Sequence, residues 1–296
     1  MKYIVPLFNL NDCEKYSKKA DTILCGMKNC SVRCVRDYTQ AELSEIAQLC
    51  QKYDLEMAVA VNRFFLEEDL PLLKEALAFL KGLNVSRIYY SDESVLWCAM
   101  QLELHDRLVY APETLVTNHQ DASYYIQEGI KGVVLSKDIT LKELCSIASH
   151  CPNQCEVIIH GRVNIMHSRR NLLTSYMEFI KKDVPVRNRQ DLYLVEEKRE
   201  DKMPIIEDEM GTHVFSGYTL ASFNELQALK DASVEYVRIE GLFHDVDYVL
   251  EALDLYHQVM NGAHPQAIMD AYQAKYADDH VTDGFYHQAT SKIKEC

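Results

Sequence analysis

Carboxylates, guanidinium groups, an amine and an imidazole stand directly behind six short apolar runs of this 296-residue chain. Asn62 and Arg63 follow the run Glu56 to Val61, Ser91 and Asp92 follow Arg87 to Tyr90, and Glu113 comes after Arg107 to Tyr110. Ser136, Lys137 and Asp138 follow Gly132 to Leu135. His160, Gly161 and Arg162 follow Glu156 to Ile159, and Glu240 and Gly241 follow Glu235 to Ile239. Gathered at one end of a set of strands, these groups would form a polar pocket. Asn62, Arg63, Lys137, Asp138 and Arg162 are its expected substrate-binding residues, because Lys offers a point charge and Arg a bidentate fork to a carboxylate. His160, Glu113 and Glu240 are the candidates for proton transfer. Three roles are open to His160: general base, orienting donor, or a histidine satisfied inside the core. Ser91, Asp92 and Asp138 equally suit the position before a helix, where a side-chain oxygen accepts backbone N–H groups.

Other chemistries have little in the sequence to stand on. There is no Gly-x-Ser-x-Gly elbow and no His-Glu-x-x-His zinc motif, and Ser168 has no assignable base. The ten cysteines include Cys25, Cys30 and Cys34, then Cys151 and Cys155, none at the Cys-x-x-Cys spacing of a zinc knuckle. Cys25 and Cys145 fall on apolar faces and read as core residues. No metal is expected in this chain.

The elements that would position the pocket follow from the period of the apolar pattern. Eight short runs read as buried parallel strands: the six above, preceded by Tyr3 to Phe8 and Thr22 to Cys25. Amphipathic stretches separate most of them. Thr39-Gln-Ala-Glu42, Thr140-Leu-Lys-Glu143 and Ser222-Phe-Asn-Glu225 carry the spacing of a capping box. Further helices are expected around Glu67 to Leu83, Ser94 to Leu104, Asn118 to Ile130 and His244 to Met260. Such alternation predicts an α/β protein, a (β/α)8 TIM-like barrel over residues 1–260. A doubly wound sheet is the alternative, weakened by the lack of Gly-x-Gly-x-x-Gly after the first strand. An insertion of about sixty residues, 161–221, interrupts the barrel after its seventh strand. A tail, 261–296, is expected to pack on the barrel or extend from it.

Formal charge is −14, with 48% hydrophobic and 26% charged residues, the balance of a folded globular chain. No apolar stretch reaches the roughly 18 residues of a membrane span, and the N-terminus lacks a signal-peptide pattern, so a cytoplasmic location without membrane contact is expected. An acidic chain is a poor general binder of nucleic acid. The charge is uneven, however. Arg162, Arg169, Arg170, Lys181, Lys182, Arg187 and Arg189 face only Glu178 and Asp183 in the same span, a local excess of five positives. An acidic half follows with Glu196, Glu197, Glu200, Asp201, Glu207, Asp208 and Glu209. Arg169, Arg170, Lys181 and Lys182 are the heart of the basic run, whose plainer reading is a solvated face.

The stretch Glu156 to Tyr176 (EVIIHGRVNIMHSRRNLLTSY) resembles the signature of the collagenase-like U32 peptidase family, and Val237-Arg-Ile-Glu-Gly241 is similar to its Lys-Ile-Glu-Gly element. Pro112 to Asn118, Val134 to Asp138, Glu207 to His213 and Asp283 to Phe285 add to the match. Within the family, the chain resembles the smaller, cluster-less type of tRNA hydroxylation protein of Gram-positive bacteria. The resemblance implies a barrel-like fold and an accessory role in prephenate-dependent 5-hydroxylation of the tRNA wobble uridine. It also implies a heterodimer with a larger U32 paralogue, and makes Arg169, Arg170, Lys181 and Lys182 the expected partner or tRNA contacts. Cluster-bearing relatives have cysteines where this chain has Asn164, Asn171 and a residue near Leu220, and an arginine at the position of Leu242. No cofactor is therefore expected in this chain, and an Fe–S cluster only in the partner. Two alternatives stand beside this reading: a U32-type peptidase, and a non-catalytic scaffold holding a small carboxylate metabolite between Arg63, Lys137 and Arg162.

Overall fold

All eight β-rich runs form strands, as expected of β-branched and aromatic residues buried on both faces of a parallel sheet. The computed structural model describes residues 1–195, 197 and 202–288; Glu196, Glu200 and Asp201 of the acidic half, and 289–296 of the tail, lie outside the described residues. In chain order the strands of the first half are β1 (Lys2–Pro6), β2 (Thr22–Met27), the short β3 (Asp37–Tyr38), β4 (Glu56–Ala60), β5 (Arg87–Tyr90), β6 (Leu108–Tyr110), β7 (Gly132–Val134) and β8 (Cys155–Gly161). The insertion contributes β9 (Asn164–Ser168), β10 (Tyr193–Val195), β11 (Lys202–Asp208) and β12 (Gly211–Phe215). After it come β13 (Thr219–Ala221), β14 (Tyr236–Ile239) and β15 (Val281–Thr282). Strands β1, β2, β4, β5, β6, β7, β8 and β14 pair in parallel in that order, and β14 pairs with both β8 and β1, closing the (β/α)8 barrel.

Around it lie α1 (Asp12–Tyr16), α2 (Gln40–Tyr53), α3 (Leu70–Gly82), α4 (Glu93–Gln101), α5 (His119–Gln127) and α6 (Leu141–His150). Helix α7 (Leu172–Phe179) belongs to the insertion, and α8 (Leu226–Asp231), α9 (Val246–Met260) and α10 (Pro265–Lys275) complete the set. Among the described residues no helix is long and apolar enough to cross a membrane. Helix α3 buries a narrow apolar stripe, Leu73, Ala76, Leu77 and Leu80, at helical three- and four-residue steps. Truncating Leu77, fully buried, to Ala would cost about 2–5 kcal/mol.

The capping boxes at Thr39 and Thr140 form as their spacing predicts, each threonine hydroxyl accepting the N–H of the glutamate three residues on. The third does not. Helix α8 begins only at Leu226, and the Ser222 hydroxyl donates instead to the Ile159 carbonyl at 2.9 Å. Backbone pairing wins here: Ser222 follows β13, which runs antiparallel to the end of β8 and holds the serine over that strand.

The insertion folds as a four-stranded antiparallel sheet in the order β10-β11-β12-β9. The buried Glu207 carboxylate of β11 accepts the backbone N–H groups of Leu173 and Thr174 and the Thr174 hydroxyl. It thus satisfies the free donors at the start of α7, which has no capping side chain of its own. Beyond that anchor α7 buries none of its residues. Leu172, Tyr176 and Phe179 are exposed, as are Ile165 and Met166 of β9 and all three residues of β10.

Candidate functional site

Period-two alternation along β5, β8 and β14 points Arg87 and Tyr89, Glu156 and Ile158, and Arg238 and Glu240 toward the barrel axis. Four of these groups form a buried network. Glu156, fully inaccessible, accepts the Tyr89 hydroxyl at 2.6 Å and lies 3.3 Å from an Arg87 nitrogen and 3.5 Å from Arg238 Nε. The Arg87 guanidinium also sits over the Tyr236 ring at 3.7 Å. One carboxylate is thus shared by two guanidinium groups.

Above it opens a cavity enclosing about 720 Å³, counting its open mouth. Arg238 joins floor to wall, its Nε 3.1 Å from Glu240. Across the mouth the Glu113 carboxylate is held by Arg33 at 3.0 Å and by Lys137 at 2.9 Å. Asn62 pins the loop that carries Arg33, its amide bonding both the N–H and the C=O of Val32. On the insertion side Arg162 donates to the Ser216 carbonyl at 2.9 Å and pairs with Asp279 at 3.3 Å, while Phe215 closes the roof.

Two features set the chemistry. Burial pushes the Glu113 carboxyl up, but Lys137 and Arg33 outweigh it and hold the group well below the usual carboxylate range. Burial pushes Glu240 up as well, and Arg238 offsets it only in part. Two carboxylates on one cavity are therefore driven apart, one ionised and the other readier to hold a proton. Second, Arg33 and Glu113, which pair with each other, both have left-handed backbone, φ +60° and +70°. Such strain costs of order 1–3 kcal/mol per residue and is characteristic of ligand sites.

The sequence-predicted residues divide. Asn62, Glu113, Arg162 and Glu240 line the cavity, and Lys137 stands behind Glu113 as its ion-pair partner. His160 faces away. Register slips between Arg238 and Ile239 of β14, so Ile159 is an extra residue on β8. That bulge turns His160 outward, where it is fully buried among Phe223, Tyr248, Tyr256 and Tyr272. Its ring nitrogens meet the hydroxyls of Tyr256 at 3.2 Å and Tyr272 at 3.0 Å. Desolvation pushes its pKa down to about 3, so it is a neutral core histidine and no proton donor to the cavity. Gly161, at φ +99°, could carry no Cβ, because one would lie 2.5 Å from the Glu240 carbonyl.

Arg63 also sits elsewhere, in a neighbouring cleft where it pairs with Asp69 at 2.7 Å and stacks on Phe65. Asp138 neither lines the cavity nor caps α6, whose cap is Thr140. Asp92 is the N-cap of α4, and Ser91 bonds the Asn62 carbonyl. Sequence reasoning missed Arg33, Tyr89 and Arg238, which lie inside a loop and inside strands. The clue was the two-residue spacing of charged and aromatic groups within otherwise apolar strands, Arg87-x-Tyr89 and Arg238-x-Glu240. Arg169, Arg170, Lys181 and Lys182 are all exposed on the insertion, and none forms an ion pair among the described residues.

The residues standing where the resemblance implies cluster cysteines do not fit a [4Fe–4S] cluster. Asn164 spends its amide on the carbonyls of Met166 and Val214, and Leu220 is a buried core residue. Cys34 reaches the cavity alone, with a thiol that burial pushes well above its ordinary value. A cluster needs several thiolates together.

Compared with known proteins, residues 11–295 match the model of peptidase family U32. The chain is 26% identical to tRNA hydroxylation protein P2 of Bacillus subtilis (strain 168) over 262 residues, 88% of this chain and 84% of that protein. It is 20% identical to tRNA hydroxylation protein P1 of the same organism over 82% of this chain, spanning 58% of that longer protein. Among solved structures, the U32 peptidase Mk0906 superposes with a TM-score of 0.52 at 11% identity, covering 81% of this chain and 92% of that one, a likeness of fold.

Proposed function

The chain belongs to peptidase family U32, and on that premise we propose that it is an accessory subunit of tRNA wobble-uridine 5-hydroxylation, acting in the cytoplasm beside a larger, cluster-bearing U32 paralogue. The observation that carries this reading is a combination within one chain: a charged barrel mouth, and no cysteine at Asn164, Asn171 or Leu220, at or near which the resemblance puts the cluster ligands of relatives. The similarity to tRNA hydroxylation protein P2 along most of its length supports the substrate. The insertion supports the two macromolecular contacts. Its apolar face on α7 and β10 suits a protein partner, and Arg169, Arg170, Lys181 and Lys182 suit phosphate.

In this reading the cavity holds a small carboxylate, prephenate, whose two carboxylates are matched by Arg33, Arg162 and Arg238. Glu113 remains ionised and fixes Arg33 and Lys137. Glu240 holds or releases a proton at the cavity wall. The redox chemistry belongs to the partner's cluster, and no step of it is assigned to this chain. A peptidase role finds less support, since the cavity lining contains neither a histidine nor a serine. The reading as a carboxylate-binding scaffold is compatible with the subunit role.

Deleting the gene in a strain without redundant hydroxylases tests the proposal. Nucleoside mass spectrometry of bulk tRNA is expected to show loss of 5-hydroxyuridine-derived wobble bases. Unchanged levels would overturn it.

A further inference from the structure

Two sequence motifs take no part in the cavity: Ser222-Phe-Asn-Glu225, which fails as a capping box, and the closing segment that begins at Asp283. The fold brings them together. Glu225 is 2% exposed, and its Oε1 lies 2.7 Å from His287 Nε2. Its other oxygen, Oε2, is buried without any hydrogen-bond partner. Asp283 completes the group, with one ligand atom from each of the three residues all within 4.8 Å of one another. Buried carboxylate oxygens are nearly always satisfied, and an orphan among other ligating groups calls for an explanation.

From this geometry we infer a binding site for one divalent transition-metal cation, of the zinc type, held by Glu225, Asp283 and His287. One imidazole nitrogen and two carboxylates are a ligand set for such ions. They coordinate at about 2.0–2.2 Å and leave a fourth position for water. Cysteine spacing, from which no metal is expected, says nothing about a set of this kind.

The scaffold around the three residues is already fixed. The Tyr286 hydroxyl donates toward the Ile158 carbonyl of β8 and lies 3.2 Å from the Ser222 hydroxyl. The Tyr286 carbonyl accepts the N–H of Leu141, at the start of α6. On the other side, β15 pairs in parallel with β13 and delivers Asp283. Glu225 precedes α8 with its side chain free of any capping bond. Binding requires the 2.7 Å contact between Glu225 and His287 to open, and Asp283, which lies within 4.8 Å of both, to settle at the separation of about 3.3–3.5 Å between ligands on one ion. The cation would then clamp the closing segment, through Asp283 and His287, to the start of α8.

The test uses the full chain, stripped by chelator dialysis and titrated with Zn2+ by calorimetry, with Co2+ as a spectroscopic probe. One equivalent of Zn2+ is expected to bind and raise the melting temperature. The Co2+ complex should show ligand-field bands without the intense thiolate charge-transfer band that cysteine ligation gives. Asp283→Asn and His287→Gln involve partly exposed side chains and are expected to leave the metal-free melting temperature within a few degrees, while each weakens Zn2+ binding at least tenfold. Failure of the wild-type chain to take up Zn2+ at micromolar concentration would overturn the site. So would unchanged uptake in both variants, or a Co2+ spectrum dominated by thiolate.

Discussion

The barrel interior and the inserted sheet use charge in opposite ways. Inside the barrel, Arg87, Arg238, Arg33 and Lys137 are each within ion-pair distance of Glu156, Glu240 or Glu113, and their side chains are at most 9% exposed. On the insertion, Arg169, Arg170, Lys181 and Lys182 stand in solvent beside exposed Tyr176, Phe179 and Tyr193. A desolvated charge must be paired, so the inner set fixes geometry and pKa values and its loss is felt in folding. A solvated charge contributes little to stability, so the outer set can serve another molecule without cost to the fold. The contrast matches the proposed division between a cavity that would hold a small molecule and a face that would meet macromolecules.

The largest expected effect lies in the interior. Glu156→Gln leaves Arg87 and Arg238 without their shared carboxylate and should cost about 3–5 kcal/mol, read by urea denaturation. A loss below about 1 kcal/mol would erase the distinction between the two regions. On the insertion, Phe179→Asp should leave stability within about 0.5 kcal/mol. On the proposed function, a larger paralogue should co-purify with the wild-type chain and be lost from the variant. Retention of that partner would move the docking face elsewhere.

Acid titration sharpens the contrast further. The Glu113 pKa is depressed in the folded state, so its ionised form stabilises the fold above the ordinary carboxylate value near about 4.3. That contribution is lost as pH falls below it. Glu240, raised by burial, works the other way: its ionised form costs stability, and acid relieves the cost. The stability gap between wild type and Glu113→Gln should therefore shrink between about pH 6 and about pH 3, measured by denaturation at each pH. A gap independent of pH would contradict the ion pairs at the cavity mouth. A smaller effect belongs to Arg33→Gly, which trades the loss of its bond to Glu113 for relief of left-handed backbone. With Lys137 still paired to Glu113 it should cost less than Glu156→Gln, about 1–2 kcal/mol, and any thermal stabilisation of the wild-type chain by added prephenate, which the proposed function expects, should be absent in the variant. The smallest change is expected for Lys181→Ala with Lys182→Ala: no more than about 0.5 kcal/mol in folding, with weakened tRNA binding and a shallower salt dependence.

The barrel was legible in the sequence because its eight strands are continuous β-rich runs, and two of its helices announce themselves by Thr-x-x-Glu. The inserted sheet was not. Lys202–Asp208 and Gly211–Phe215 mix Glu, Asp, Lys and His with apolar residues, and their pairing depends on contacts between distant segments. At the site, residues just after the strands pointed to Asn62, Glu113, Arg162 and Glu240. The same rule failed for His160, because a single extra residue at Ile159 reverses which side of β8 the following side chain faces. It missed Arg238 because a charged residue within an apolar strand is recognisable as a cavity residue only once the strand's inward face is known. Glu225 was misjudged for a related reason: the capping spacing was present, but the closing segment offered its carboxylate different partners.

The proposed function divides the labour: this chain would supply a charged cavity and a docking face, and a larger family member the iron–sulfur chemistry. The most direct measurement is anaerobic purification of the full chain from its native host, followed by iron and acid-labile sulfide analysis of the complex and of each separated subunit. The account predicts a larger U32 paralogue in the complex, with iron and sulfide in near-equal amounts on that subunit and neither on this chain. An iron–sulfur cluster on this chain alone would contradict it.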